Sequence, residues 1–189
     1  SGTGDVVQKV GEYTFTLPPT AFWQAHHQAL STYSDLITQW VVGGQYGADP
    51  VGWDLYGGVG ALVPALHHAL GNNSHIHSVE SARIMATSGQ VTFGDDVHFH
   101  IGLVGNLVDT LPQPDVVVLD PPRVGAGADV VTRIAARKPQ RVIHIGCDPA
   151  TFATDVRAWS QAGYHLSDIV VVNAFPGTHH FETLGLLQP

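Results

Sequence analysis

Cysteine occurs once in the 189 residues, at Cys147, within Ile145-Gly146-Cys147-Asp148-Pro149-Ala150-Thr151. The thiol follows an apolar run and precedes a helix start, where Pro149 takes an early helical position. Such a residue is either an inert small hydrophobe or a nucleophile whose thiolate the helix amino end favours. A second segment, Asp120-Pro121-Pro122-Arg123 followed by Gly125 and Gly127, removes two amide donors and fixes an extended backbone, so Asp120 and Arg123 are presented rigidly. A third, Asn173-Ala174-Phe175-Pro176-Gly177-Thr178-His179-His180-Phe181-Glu182, sets Glu182 at the start of the last apolar run, as a general base or as a solvated strand-end carboxylate. Nucleophile and general base are thus the chemical readings that these residues carry beside the structural ones.

Two further patterns bear on ligands. Asp54-Leu55-Tyr56-Gly57-Gly58-Val59-Gly60 is a glycine-rich turn that lets backbone amides approach a ligand at a helix start. Glu80 follows about 20 residues on and can accept hydrogen bonds from ribose hydroxyls. The pair fits an adenosine-containing cofactor, dinucleotide or S-adenosylmethionine alike; a structural turn with a surface Glu is the plain alternative. His179, His180 and Glu182 resemble a metal set, but the sequence places no further ligand to complete it. The pairs His26-His27 and His67-His68 fall on predicted helices, where adjacent side chains diverge by about 100° and cannot chelate together. No metal is expected.

The elements that must position these groups alternate. A strand over 12–17 ends at Pro18-Pro19, and with Thr20 as N-cap a helix pattern runs from Phe22 to Val42, ending at Gly43-Gly44. There follow strand 52–56, helix 60–70, strand 75–79, helix 81–88, strand 98–101, helix 103–110, strand 115–119, helix 128–137, strand 141–146, helix 150–162, strand 167–173 and a last strand near 181–187. Residues 88–97 fit neither period well. Alternation of this kind implies βαβ units and a mainly parallel sheet covered on both faces. Ligands then bind beyond the carboxyl ends of the strands, where strand order reverses, which is where the motifs above stand.

Composition narrows the class. Hydrophobic residues make up 44% and charged residues 13%, against about 25% charged in an average soluble domain, which excludes intrinsic disorder. One cysteine excludes an intramolecular disulfide framework and a four-cysteine cluster. No run of about 18 apolar residues and no basic-then-apolar leader is readable, so a cytoplasmic protein is expected. With 8 Lys and Arg against 16 Asp and Glu, a net charge of −8, the chain is not one that holds nucleic acid by charge alone.

Taken together, Phe22-Trp23-Gln24, the turn 54–60, Asp120-Pro121-Pro122-Arg123-Val124-Gly125, Gly146-Cys147-Asp148-Pro149-Ala150-Thr151 and Phe175-Pro176-Gly177-Thr178-His179-His180-Phe181-Glu182 resemble the RNA uracil-5 methyltransferase family, in order from about residue 12 to the end. The resemblance implies a class I, Rossmann-like α/β methyltransferase fold: a mainly parallel seven-stranded sheet with an antiparallel final strand and helices on both faces. It implies one catalytic domain over 1–189, with a leading strand and helix in 1–50 and the core in 51–189. The RNA-binding barrel that many members carry is expected outside this chain. S-adenosylmethionine is the implied cofactor, RNA the partner and 5-methyluridine the product, in 23S ribosomal RNA or, alternatively, transfer RNA. Cys147 matches the nucleophile and Glu182 the base, with Asp120 orienting the uracil or the thiol. Gln24, Tyr56, Glu80 and Asp120 match cofactor contacts, with the turn through Gly58, Gly60 and Ala61 beside them. Arg123, Thr151 and His179 are expected on the substrate side. Gly57 stands where relatives carry Cys or Ala, Leu103 where they carry an acid (Asp95 and Asp96 being the nearest substitutes), and Asn173 where they carry Asp. Two other readings are a nicotinamide-dependent dehydrogenase, which shares the glycine turn and Glu80 but leaves Cys147 and Glu182 without a task, and a non-catalytic binding module.

Overall fold

A computed structural model of the chain describes residues 4–18, 21, 23, 29–173 and 181–189. The first two strands, β1 (Val6–Val10) and β2 (Tyr13–Leu17), form an antiparallel hairpin apart from the main sheet. Only the second was expected, because β1 is mostly exposed and carries no buried face to read. Helix α1 is Ala29–Val42; residues 22 and 24–28 of the predicted helix lie outside the described residues. Trp23 is non-helical and packs its ring on Phe15, with centroids 5.8 Å apart.

Seven strands form the main sheet: β3 (Val51–Leu55), β4 (His75–Glu80), β5 (Val97–Ile101), β6 (Val116–Leu119), β7 (Arg141–Gly146), β8 (His165–Val172) and β9 (Glu182–Gln188). Their order is β5-β4-β3-β6-β7-β9-β8, and only β9 runs antiparallel to its neighbours. Between them lie α2 (Val63–Leu70), α3 (Arg83–Phe93), α4 (Val104–Leu107), α5 (Ala128–Ala136) and α6 (Pro149–Gln161). One core holds side chains of α1, α2 and α3; the other, across the sheet, holds those of α4, α5 and α6. Helices thus cover both faces. The runs Val116–Leu119 and Val142, Ile143 and Ile145 are wholly buried, as strands flanked on both sides must be. Among the described residues no helix is long and apolar enough to cross a membrane.

Two elements differ in length from expectation. Helix α3 continues through Gly89 to Phe93, because a Cβ at Gly89 would lie 2.4 Å from the Phe99 ring and Phe93 anchors the last turn against Tyr13 at 4.8 Å. Packing here overrides glycine's poor helix propensity. Helix α4 is a single turn, shorter than the predicted 103–110.

Near this short helix, His75 and His77 of β4 and His98 and His100 of β5 gather on one face. The His77 ring stacks on those of His98 and His100 at 4.9 and 5.3 Å, and its Nδ1 lies 3.0 Å from His100 Nε2. Burial, then the charges of His98, His100 and His75, push His77 down from 6.5 to about 4. Unfolding therefore takes up a proton as pH falls through 6.5, and stability is lost between about 6.5 and 4, levelling below. The shift corresponds to a loss of order 3 kcal/mol. Because burial raises the Asp54 and Glu182 carboxyls, which gain stability over the same window, the His77 loss is read as the difference between parent and His77→Phe in urea denaturation at pH 7 and 4.5; an equal pH dependence in the two would place the titration elsewhere.

Candidate active site

Strand order reverses between β3 and β6, and a pocket open to solvent lies at the carboxyl ends of these strands. Asp54, Tyr56, Gly57, Gly58, Ala61 and Asp120 line it with apolar Trp23, Leu30, Val59, Leu62 and Met85. The backbone is folded tightly here: Tyr56 adopts φ 61° and Gly58 φ 59°, the left-handed region that a non-glycine residue enters only at a cost. Asp54 is 2% exposed and accepts from Ser78 Oγ at 2.9 Å; burial pushes its carboxyl up to about 6.

Gly57 has no room for a side chain. A Cβ there would lie 2.1 Å from Asp54 Oδ2 and 2.4 Å from Ser78 Oγ. Gly57→Ala should therefore cost about 1–3 kcal/mol, read as a lower urea midpoint at unchanged slope. An unchanged midpoint would mean that the Asp54 carboxylate swings aside freely.

Glu80 braces this turn. Its Oε2 accepts from Gly58 N at 3.0 Å and its Oε1 from Ala82 N at 2.5 Å, so the carboxylate orders the glycine loop. Neither Glu80 nor Gly60 lines the pocket itself. Leu103 is 63% exposed at the start of α4. Asp95 and Asp96 precede β5, at the opposite end of that strand from the pocket, and cannot replace an acid at the rim. Gln24 and His179 lie outside the described residues.

The second group of residues stands on the neighbouring rim. The ladder between β7 and β9 ends with Gly146 opposite Thr183, so Cys147 and Glu182 come one step beyond it on adjacent strands. Glu182 is 6% exposed, and burial, opposed by Arg123, holds its carboxyl above the ordinary range. Cys147 is half-buried. Burial and the charges of Glu182 and Asp120 raise its thiol, with Arg123 acting the other way. The expectation that the helix amino end favours the thiolate is thus corrected: Asp148 occupies that end, its Oδ1 accepting from Ala150 N at 3.0 Å and Thr151 N at 2.9 Å, and burial, then the charges of Glu182 and Asp120, keep the thiol above its ordinary range.

The Asp120–Gly127 loop is fastened to α6. Asp155 accepts from Ala126 N at 2.7 Å and Gly127 N at 3.0 Å. Although burial alone would raise its carboxyl, His144 and these amides hold it below the ordinary range. Trp159 Nε1 donates to His144 Nδ1 at 3.0 Å, which leaves the proton on Nε2, 3.4 Å from Asp155 Oδ2. Thr151 Oγ1 lies 2.9 Å from the Arg123 carbonyl oxygen, its acceptor; Thr151 thus joins loop and helix. Sequence reasoning missed Asp54, Met85, Asp155 and His144. Asp54 stands two residues before Tyr56 on the same strand and was open to the same argument, whereas Asp155 reads as an ordinary helix position. Among the described residues, no group of three or more His, Cys, Asp or Glu is placed to hold a metal.

The chain is 52% identical over 190 residues to an uncharacterized RNA methyltransferase of Corynebacterium efficiens, covering 98% of this chain and 45% of that protein. A second RNA methyltransferase, from Bifidobacterium longum, is 37% identical over 92% of this chain and 42% of its own length. The chain thus spans less than half the length of these relatives. Among solved structures, a Pyrococcus abyssi tRNA (uracil-54, C5)-methyltransferase in complex with S-adenosyl-L-homocysteine superposes with a TM-score of 0.80 at 20% identity, over 99% of this chain and 44% of that one. A SAM-dependent methyltransferase from Agrobacterium tumefaciens gives 0.69 at 11% identity, over 100% of this chain and 71% of that one. At these identities the likeness is one of fold. Residues 74–189, more than half of the chain, match the family described as tRNA (Uracil-5-)-methyltransferase, and the chain belongs to that family.

Proposed function

We propose that this chain is a catalytic domain that methylates carbon 5 of a uridine in RNA, with S-adenosylmethionine as donor and Cys147 as covalent nucleophile. The observation that carries this reading is the meeting of Cys147 and Glu182 at adjoining strand ends, beside the pocket that Asp120 shares. The pocket suits the donor: two carboxylates, Asp54 and Asp120, face a cation, and Met85, Val59 and Leu62 offer an apolar wall. Asp54, Tyr56, Gly58, Ala61 and Asp120 would hold it, with Glu80 fixing the turn. When bound, the donor supplies an electrophilic methyl group to carbon 5.

The chain's own residues do the rest. Carbon 5 of uracil is a poor nucleophile, so the Cys147 sulfur adds to carbon 6 and the displaced π pair enriches carbon 5. After carbon 5 is methylated, Glu182 removes its remaining proton. That C–H pair re-forms the ring double bond as the S–C6 bond breaks and its pair returns to sulfur. Arg123 favours the thiolate, and Asp120 orients the uracil. The target uridine comes from a loop or is flipped out, since a stacked base hides its carbon 5.

RNA binding surface beyond the rim falls to a further domain outside this chain, consistent with its charge of −8. Ribosomal and transfer RNA share this chemistry; assay of both, with tritium release from [5-3H]uridine, separates them. Calorimetric titration tests the donor: saturable binding of S-adenosylmethionine without binding of NAD supports the reading, and the reverse would install the dehydrogenase alternative.

A further inference from the structure

Tyr33 of α1 is 0% exposed, and among the described residues its buried hydroxyl has no hydrogen-bond partner. An unpaired buried hydroxyl costs about 1–3 kcal/mol, and such groups are rare enough to require an explanation. The phenol packs in one cluster with Val118, Ile145 and Leu184. Side chains two apart along a strand share a face. Asp120 stands two beyond Val118, Cys147 two beyond Ile145, and Glu182 two before Leu184. Within β9 the alternation therefore carries Glu182 toward the side of the sheet that α1 covers, and Asp120 lines the pocket together with Leu30 of α1. Burial, then Glu182, Asp120 and Cys147 in that order, push the phenol well above its ordinary range, so it stays a donor throughout the working pH range.

Tyr33 does not line the pocket and is sealed from solvent, so it acts through a neighbour and not on substrate. We infer that Tyr33 is a positioning residue for Glu182, its O–H donating to the Glu182 carboxylate once uridine is bound. This rests on the reading of Glu182 as the base. A donor on one carboxylate oxygen favours the ionised form against the burial that opposes it, and leaves the other oxygen to take the carbon 5 proton.

Tyr33→Phe removes only the hydroxyl, and because that group has no partner among the described residues the variant should melt at or slightly above the parent temperature. Donor affinity and RNA KM should hold within about twofold, and the rate of Cys147 adduct formation on 5-fluorouridine RNA should be unchanged. Breakdown of the methylated adduct on ordinary RNA should slow by about tenfold to a hundredfold, with the acid limb of its pH profile moved to higher pH. Unchanged breakdown and profile, or equal slowing of adduct formation and breakdown with a lower melting temperature, would overturn the inference. If the parent forms no Cys147 adduct at all, the underlying reading falls first and takes this inference with it.

Discussion

Cys147→Ala should abolish methyl transfer, lowering turnover by about 10^4-fold or more, because loss of a covalent nucleophile removes the pathway and does not merely slow one step of it. The thiol is half-buried at the rim and belongs to neither apolar core, so folding and donor binding should survive. Circular dichroism and calorimetry of the variant check both. The raised thiol adds a pH signature: adduct formation should climb with pH as the thiolate becomes available. A variant that retained more than a few per cent of parental turnover would remove Cys147 from the chemistry.

Glu182→Gln should act on a later step. The side chain is 6% exposed at the first position of β9, and the amide preserves its shape while removing its basicity. Turnover should fall by about 10^2- to 10^4-fold, the usual range for a general base. The sulfur can still add and carbon 5 can still be methylated, so a denaturation-resistant RNA–protein complex should accumulate with ordinary RNA. Burial raises this carboxyl above its usual range; as a base it works only when ionised, so parental turnover should decline as pH drops through that raised value, and the variant should lose this limb. Absence of a trapped complex alongside normal adduct formation on 5-fluorouridine RNA would assign proton removal to another group.

Much of this arrangement is legible in the sequence. The apolar runs Val116–Leu119 and 142–145 could only be strands buried on both faces, and their alternation with helical periods gave a parallel sheet whose carboxyl rim collects the motifs. Less legible was whatever depends on groups remote in sequence. Cys147 stands beside a helix start, but nothing local reveals that it is half-buried with Asp120 and Glu182 close by, and burial together with those charges reverses the expected direction of its ionisation. Gly57 looks like a mild departure until Asp54 and Ser78 are seen to fill the space of its missing side chain. Tyr33 and Asp155 each satisfy a helical period, so the sequence offers no reason to separate them from ordinary core positions; their meaning arises from the strands that they face. The hairpin strand Val6–Val10 was lost for the opposite reason, having little buried surface to leave a pattern.

The most direct measurement is mass spectrometry of the protein after incubation with S-adenosylmethionine and RNA containing 5-fluorouridine, in which fluorine replaces the proton that Glu182 would remove. The expected species is a protease fragment containing Cys147 that carries the nucleotide with one added methyl group, formed only when the donor is present. Methylated RNA released without any protein adduct, or an adduct on a fragment lacking Cys147, would contradict the mechanism at its first bond.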